Sequence, residues 1–220
     1  GLCGKGAVDE ALQLKRSMDD KGLIPDSYTC SILIDGFCKQ KRSVEANSIL
    51  AEMNDMGLRP DQIAYTALID GFMKEGNMEG AFRIKDAMVA KGIKLNIVAY
   101  NTIINGLCKV GQMEKAVEFM NEMTTMGIAP ETQTFNYLIE AYIQKGSLDK
   151  ASEVLAEMKE RNMELSVYTF GVIINGLCRS EDYCRAKLVL DKMVSCGVKP
   201  NAIIYSNMIK SYVQNGKFED

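Results

Sequence analysis

The chain has 220 residues, 47% of them hydrophobic and 25% charged, a composition ordinary for a folded protein. It contains no histidine, and its seven cysteines include no C-x-x-C pair, so the composition weighs against an enzyme, a cofactor, a metal site and a disulfide framework. The net charge of -3 provides no bulk attraction for a polyanionic partner, and only the placement of the cations could do so.

Apolar stretches such as residues 102–107 are too short to cross a bilayer. No N-terminal segment combines a charged start with an apolar run, so these residues carry no targeting segment. We therefore expect no membrane partner.

A period of 35 residues runs through the chain, and a fixed period in this range is typical of stacked structural repeats. Three columns hold one residue type at six of six places. We predict that all three lie in the core, with the small alanine where two helices cross closely. The columns are Ile34, Ile69, Ile104, Ile139, Ile174 and Ile209; Ala11, Ala46, Ala81, Ala116, Ala151 and Ala186; and Met18, Met53, Met88, Met123, Met158 and Met193.

Each period contains two predicted helices. In the period that begins at residue 97, Ile103, Ile104 and Leu107 fall on one face of a first helix. Residues 112–124 repeat their apolar side chains at helical spacing and predict a second helix.

Glycine and proline columns mark the end of each second helix. A glycine can adopt the left-handed C-terminal cap, and a proline shortly after it blocks continuation. Asn162 replaces the glycine once, Leu95 and Leu165 replace the proline, and Lys41 stands at another glycine position. The column members are Gly22, Gly57, Gly92, Gly127 and Gly197, and Pro25, Pro60, Pro130 and Pro200.

The pattern predicts an all-α protein, an α-solenoid of 35-residue helix-turn-helix repeats. One helix pair cannot cover its own apolar face, so neighbouring repeats must stack into a continuous core. Partial repeats at 1–26 and 202–220 lack a polar capping helix, and we interpret the chain as a piece of a longer array. The complete repeats are 27–61, 62–96, 97–131, 132–166 and 167–201.

The strings VAYNTIINGLCKVGQMEKAVEFMNEMTTMGIAP and IAYTALIDGFMKEGNMEGAFRIKDAMVAKGIKL resemble the consensus of the pentatricopeptide-repeat family, and the likeness extends over nearly the whole chain. Tetratricopeptide repeats have 34 residues and a tryptophan, which this chain lacks. The resemblance implies a right-handed superhelix of the pure, or P, type. It also implies single-stranded RNA as the partner, read at one base per repeat.

By that resemblance, the residue after the first-helix aromatic (the first reader) and the last residue of the same repeat (the second reader) together read a base. Short polar side chains can hydrogen-bond to the exposed edge of an unpaired base. Taken alone, such a residue near a helix start is typical of a cap, and its recurrence every 35 residues together with the resemblance favours recognition. The pairs are Ser31 with Asp61, Thr66 with Asn96, Asn101 with Glu131, Asn136 with Ser166, and Gly171 with Asn201, and Ser206 begins a sixth.

These pairs predict the tract 5'-G-A-Y-Y-A-R-3', where Y is a pyrimidine and R a purine. Asp61 only accepts hydrogen bonds, which suits the donors of guanine, whereas Asn96 and Asn201 can also donate, which suits adenine or cytosine. By resemblance, Ser or Thr as first reader implies a purine and Asn a pyrimidine, and Asn136 with Ser166 implies cytosine over uracil.

Three residues ahead of each first reader, the family uses apolar side chains to sandwich the bases. Tyrosines there could stack on a base, which contributes about 1–3 kcal/mol. Gln133 departs from the apolar pattern, and packing between adjacent repeats is the alternative role of this column. The column is Tyr28, Ile63, Val98, Gln133, Tyr168 and Ile203.

A cation column recurs near the end of the first helix, with Gln144 and Gln214 in two places. Stacked repeats would align it into a stripe that meets successive phosphates, with the many Glu and Asp residues on outward-facing second helices. A single exposed lysine is usually solvated surface, but recurrence in register favours phosphate contact. The column is Lys39, Lys74, Lys109 and Arg179.

Four cysteines share a column with plain hydrophobic residues, so we interpret them as small core residues and not as metal ligands. Cys30, Cys184 and Cys196 stand singly. The column is Cys3, Cys38, Met73, Cys108, Ile143, Cys178 and Val213.

The sequence therefore predicts an RNA-binding module of a plant-type mitochondrial or chloroplast protein that acts passively in RNA processing, stability or translation. The alternative is a protein-interaction or structural scaffold among the components of a ribonucleoprotein such as an organellar ribosome. The acidic residues follow the repeat and form no cluster of the kind that a nuclease or deaminase needs, so we predict no catalytic residue. Five read bases distinguish only about a thousand sequences, too few to mark one site in an organellar transcriptome. With about four phosphate contacts, we expect weak binding and a modest salt dependence.

Overall fold

The computed structural model describes residues 8–214, except for the side chains of Asp19 and Gln214, and in this range it contains twelve α-helices and no strand. None of these helices is long and apolar enough to span a bilayer. The helices are α1 (Val8–Asp20), α2 (Ser27–Lys39), α3 (Ser43–Asp55), α4 (Gln62–Lys74), α5 (Met78–Ala90), α6 (Ile97–Lys109), α7 (Met113–Thr125), α8 (Thr132–Gln144), α9 (Leu148–Glu160), α10 (Val167–Arg179), α11 (Tyr183–Ser195) and α12 (Ala202–Gln214).

The helix starts follow the sequence period. The even-numbered helices begin at residues 27, 62, 97, 132, 167 and 202 and are the predicted first helices, and the odd-numbered ones are the predicted second helices. The two helices predicted from residue 97 onward are confirmed as α6 and α7. The all-α class is confirmed, and the boundaries drawn between repeats remain a prediction.

The chain divides into two compact units, one ending at Val110 and the other beginning at Gly111. In the first unit, α2 packs against α3 and α4, and α4 packs against α5 and α6. In the second unit, α8 packs against α9 and α10, and α10 packs against α11 and α12. Within each unit, consecutive first helices therefore lie side by side.

The isoleucine, alanine and methionine columns form the core of both units. Five members of each, from Ile34 to Ile174, from Ala46 to Ala186 and from Met53 to Met193, are no more than 4% exposed. The prediction is wrong at the ends of the described chain, where Ile209 is 62% exposed and Ala11 and Met18 are half-buried. Those three residues lie on α12 and α1, whose partner helices within the same repeat are not among residues 8–214.

A further column of small residues, at the tenth position of the first helices, brings consecutive first helices into close contact. A Cβ added to Gly71 would lie 2.6 Å from Cys38 Sγ, and one added to Gly106 would lie 2.6 Å from Met73 Sδ. The same atom on Gly176 would lie only 1.7 Å from Ile143 Cγ2. These backbones approach so closely that only glycine fits without a shift.

Two sets of turn residues adopt left-handed backbone. After the second helices, Gly127 has a φ of 79° and Asn162 a φ of 53°, so the predicted cap at Gly127 is confirmed and Asn162 keeps the same conformation. After the first helices, Gly76 has a φ of 75°, but Lys41 and Glu181 occupy the equivalent places at 59° and 58°. Asparagine tolerates this region, whereas lysine and glutamate adopt it at a cost.

Candidate nucleic-acid interface

The second reader of each complete pair lies at the N-cap of the following first helix. Its side-chain oxygen accepts a hydrogen bond from the backbone N–H three residues along, at 2.9 Å for Asp61 and Asn96, 3.2 Å for Ser166 and 3.0 Å for Asn201. Glu131 stands at the N-cap of α8. The capping role expected of these residue types is therefore present, and recognition of a base would use the atoms that capping leaves over.

Capping determines which atom of each second reader is left for a base. The cap acceptor must be an oxygen, so Asp61 keeps a second carboxylate oxygen, whereas the other polar atom of Asn96 and Asn201 is the nitrogen of an amino group. The Asn96 amino group also donates to Gln62 Oε1 at 2.8 Å, which leaves one of its two hydrogens. An amino donor matches the ring-nitrogen acceptor of adenine or cytosine, and a carboxylate oxygen matches the ring N–H of guanine or uracil.

The first readers lie early in the first helices, and several are held by the helix itself. Ser31 Oγ donates to Ser27 O at 2.8 Å, and Thr66 Oγ1 donates to Gln62 O at 2.7 Å. Both side chains are half-buried, as is Asn101, whereas Ser206 is exposed. Their oxygens keep lone pairs with which to accept a hydrogen bond from a base.

Asn136 differs from the other first readers because it is nearly buried, at 6% exposure. Its Oδ1 accepts a hydrogen bond from Thr169 Oγ1 at 2.9 Å, and the same hydroxyl lies 3.1 Å from Ser166 Oγ. The structure therefore brings the predicted pair Asn136 and Ser166 together through a third side chain.

The column predicted to sandwich bases is exposed at every described place. The exposed fractions are 74% for Tyr28, 72% for Ile63, 56% for Val98, 58% for Tyr168 and 67% for Ile203, and Gln133 is also exposed. Large apolar side chains held in water at a regular period are typical of a binding surface. The alternative role of this column, packing between repeats, would instead require these side chains to be buried.

In the second compact unit, these residues border a recess of about 540 Å³. Tyr168 and Ile203 line it together with Gly171 and Asn201, the predicted fifth reading pair. Gly171 contributes no side chain, so space remains beside the Asn201 amide. The Tyr168 hydroxyl donates to Glu140 Oε2 at 3.4 Å, and burial, with a smaller effect of that carboxylate, raises the pKa of Tyr168.

The cation column ends the first helices, but acidic residues accompany half of it. Lys39 pairs with Asp35 at 2.6 Å, and Lys74 pairs with Asp70 at 2.5 Å. The prediction placed the many acidic residues on the second helices, but Asp35 and Asp70 lie on α2 and α4, one turn before the cations. Lys109 and Arg179 are exposed and form no ion pair within residues 8–214.

The cysteine column is core, as predicted, at Cys38, Cys108 and Cys178, which are at most 6% exposed. Burial raises the pKa of Cys38 to about 12, so its thiol is protonated and unreactive at neutral pH. Cys30 is also buried, whereas Cys184 and Cys196 are exposed. Cys3 lies outside the described residues. No group of three potential metal ligands is found within the described part of the chain.

Two residues beside the predicted site, Gln62 and Thr169, had no signal in the repeat columns. Gln62 bonds to Asn96 and Thr169 bonds to Asn136, but both stand at places where the residue type varies from repeat to repeat. Asp26 stands 35 residues before Asp61 and caps α2, with Thr29 N donating to it at 2.8 Å. The period alone would have found Asp26.

Family models match almost all of the sequence. The model described as the PPR repeat family matches residues 1–39, 32–74, 60–98, 95–142 and 130–179, and the model described as the PPR repeat matches residues 168–198 and 203–220. A mitochondrial pentatricopeptide repeat-containing protein of Arabidopsis thaliana is 57% identical over 42 residues, which are 19% of this chain and 4% of that protein.

Solved structures share the fold. The crystal structure of maize PPR10 superposes with a TM-score of 0.74 at 20% identity, over 99% of this chain and 36% of that one. The structure of PPR10 in complex with an 18-nt psaJ RNA element superposes with a TM-score of 0.72 at 20% identity, over 99% of this chain and 37% of that one. The PPR domain of Arabidopsis thaliana protein-only RNase P 1, in complex with tRNA, superposes with a TM-score of 0.63 at 17% identity, over 82% of this chain and 95% of that one.

This chain thus spans about a third of PPR10 and a small part of the Arabidopsis relative. The likeness to PPR10 confirms the predicted fold class, an α-solenoid of helix pairs. The family models extend over more than half of the sequence. The chain belongs to the pentatricopeptide-repeat, or PPR, family.

Proposed function

We propose that the chain binds single-stranded RNA and reads one base per repeat. The observation that supports this most directly is the exposed apolar column from Tyr28 to Ile203, which lies three residues ahead of each first reader. Such side chains can stack on bases whose edges then meet the reading pairs. Two of the similar structures, those of PPR10 and of the RNase P 1 domain, were solved with RNA.

Three positions of the predicted tract, 5'-G-A-Y-Y-A-R-3', are supported by the atoms that the N-caps leave over. Asp61 offers an acceptor for the ring N–H of guanine, and Asn96 and Asn201 offer donors for the ring nitrogen of adenine. Lys109 and Arg179, with Lys39 and Lys74 beside them in the same column, supply the contacts to phosphate. Because only five pairs are complete, we expect binding to be weak.

The proposed role is passive, since binding alone can shield an RNA or mark a site for processing or translation. The Arabidopsis relative is named as mitochondrial, which supports an organellar location, mitochondrion or chloroplast.

Exchange of Asn96 for Asp tests the assignment of pairs to bases. Asp keeps the oxygen that caps Ala99 N but presents a second oxygen where Asn96 presents its amino group. We expect N96D to change the preferred second base from adenine to guanine, by about tenfold in relative affinity. The measurement is fluorescence polarisation of the 220-residue chain with labelled 5'-GACCAA-3' and 5'-GGCCAA-3'.

Asn77→Asp is the matched control. Asn77 caps α5 in the same way, accepting from Gly80 N at 2.8 Å, but it lies on no reading pair. N77D should leave the base preference unchanged. An unaltered preference in N96D would refute the assignment of pairs, and a wild-type chain that binds 5'-GACCAA-3' no better than scrambled RNA would favour a scaffold instead.

A further inference from the structure

The hydroxyl of Thr169 joins the two members of the fourth reading pair. Thr169 lies in the first turn of α10 and is fully buried. Its Oγ1 donates to Asn136 Oδ1 on α8 at 2.9 Å and lies 3.1 Å from Ser166 Oγ at the N-cap of α10. The contact is shielded from water and connects two neighbouring first helices.

The three side chains form a hydrogen-bond chain with a defined direction. A hydroxyl carries one hydrogen, so Thr169, which donates to Asn136, can only accept from Ser166. Ser166 in turn accepts from Thr169 N at 3.2 Å and donates its own hydrogen to Thr169 Oγ1. The hydrogen bonds therefore run from Ser166 to Thr169 and from Thr169 to Asn136, each residue donating to the next.

This direction fixes the amide of Asn136. Its Oδ1 points inward to Thr169, and its Nδ2 makes no hydrogen bond within residues 8–214. Among those residues, Gln112 Oε1 is the one fully buried side-chain polar atom without a partner, so Asn136 Nδ2 is not completely shielded from solvent. The amino group is the atom that this residue presents to a base.

An amino donor distinguishes the two pyrimidines. Cytosine has a lone pair on ring N3, which accepts a hydrogen bond, whereas uracil has an N–H there, which would oppose the donor. We propose that Thr169 is a positioning residue for base selection, because it holds Asn136 as a donor and thereby makes this repeat select cytosine over uracil. This inference rests on the proposed function.

The equivalent residues Thr29, Ala64 and Ala99 do not act in this way. Ala64 and Ala99 have no hydroxyl. The Thr29 hydroxyl donates to Asp26 Oδ1 at 2.7 Å, a cap on its own helix. Positioning by this hydroxyl is therefore absent from those three repeats.

The test compares binding to 5'-GACCAA-3' and 5'-GACUAA-3' by competition fluorescence polarisation. The wild type should prefer the first oligonucleotide. Thr169→Val removes the hydroxyl and frees the Asn136 amide to turn, so we expect the ratio of the two affinities to fall about fivefold. Thr169→Ser keeps the hydroxyl and should keep the ratio, and Thr29→Val is the matched control that should also keep it.

Preference at the first base, guanine against adenine, separates positioning from general damage to the fold. It should be the same in all variants, because Asp61 and Ser31 do not contact Thr169. An unchanged ratio of the affinities for cytosine and uracil at the fourth base in T169V would overturn the proposal. A shift towards cytosine would also overturn it, because the hydrogen bonds would then run in the opposite direction.

Two further outcomes are distinguishable. If T169V does not fold by circular dichroism, Asn136→Asp replaces the donor with an acceptor and should move the preference to uracil, and continued preference for cytosine would overturn the proposal. A wild-type chain without any base preference would instead refute the proposed function itself.

Discussion

At the scale of single residues, the N-caps explain why Asp and Asn at one place would read different bases. Both side chains give an oxygen to the helix, so they differ only in the atom that remains. A hydrogen-bond acceptor remains on Asp61 and a donor on Asn96. Under the proposed function, one side chain would therefore serve both a structural role and a reading role.

Lys41 and Glu181 adopt left-handed backbone at φ values of 59° and 58°, where other repeats have glycine. Glycine avoids the steric cost of this region, although it adds some unfolded-state entropy. We expect Lys41→Gly and Glu181→Gly each to raise the free energy of unfolding by about 0.5–1 kcal/mol. Urea denaturation followed by circular dichroism measures the change.

Glu118→Gly, at an exposed position within α7, is the control for these two glycine substitutions. A glycine inside a helix should lower the free energy of unfolding by about 1 kcal/mol. If Lys41→Gly were as destabilising as this control, the left-handed conformation would not be the determining feature of that turn.

At the scale of helices, the cation column has one physical role within the fold and a second that we propose. Lys39, Lys74, Lys109 and Arg179 are the last residues of their helices, where a positive charge interacts favourably with the helix dipole. This interaction alone would account for cations at these places. Contact with phosphate is an additional role, open to the cations that are not already paired.

The contact between α8 and α10 depends on Gly176. An added Cβ would lie 1.7 Å from Ile143 Cγ2, so Gly176→Ala should lower the free energy of unfolding by about 1–3 kcal/mol. Gly171→Ala, on the same helix, is the control, because its Cβ would lie at 3.6 Å from Ile204, an ordinary contact. Equal melting temperatures for the two variants would show that the helices can separate at no cost.

The sequence alone predicted the helix pairs and the buried columns well, because 35-residue recurrence directly reports repeated packing. It did not predict the exposure of Ile209, which depends on which neighbouring helix is present. Nor did it predict the bond between Asn136 and Thr169, which joins residues 33 apart on different helices. Such contacts depend on the spacing of two backbones, which no single column records.

At the scale of the whole molecule, the net charge of -3 makes the pairing of each cation important. Each phosphate contact contributes about -0.7 to the slope of log affinity against log salt. Asp35→Asn with Asp70→Asn would release Lys39 and Lys74, so we expect tighter RNA binding and a slope steeper by up to about 1.4. Titrations of a labelled hexanucleotide over a range of salt concentrations measure both the affinity and the slope.

The double variant Asp55→Asn with Asp86→Asn is the control for Asp35→Asn with Asp70→Asn. It also removes two negative charges, but from the second helices. Both residues are exposed, on α3 and α5. Their removal should change the affinity less and leave the slope almost unaltered. Equal effects of the two double variants would mean that only total charge matters, and not the pairing on the first helices.

The contacts at Gly71, Gly106 and Gly176 limit how such a chain can be rearranged by duplication or by protein engineering. A repeat that is transplanted into another array keeps its own reading pair, but its glycine meets whatever side chain the new predecessor offers. Ser211 occupies this column on α12 and donates from Oγ to Cys178 O at 3.1 Å, so some junctions accept a larger residue. Compatibility at the junction, more than the choice of bases, would decide which repeats can be exchanged.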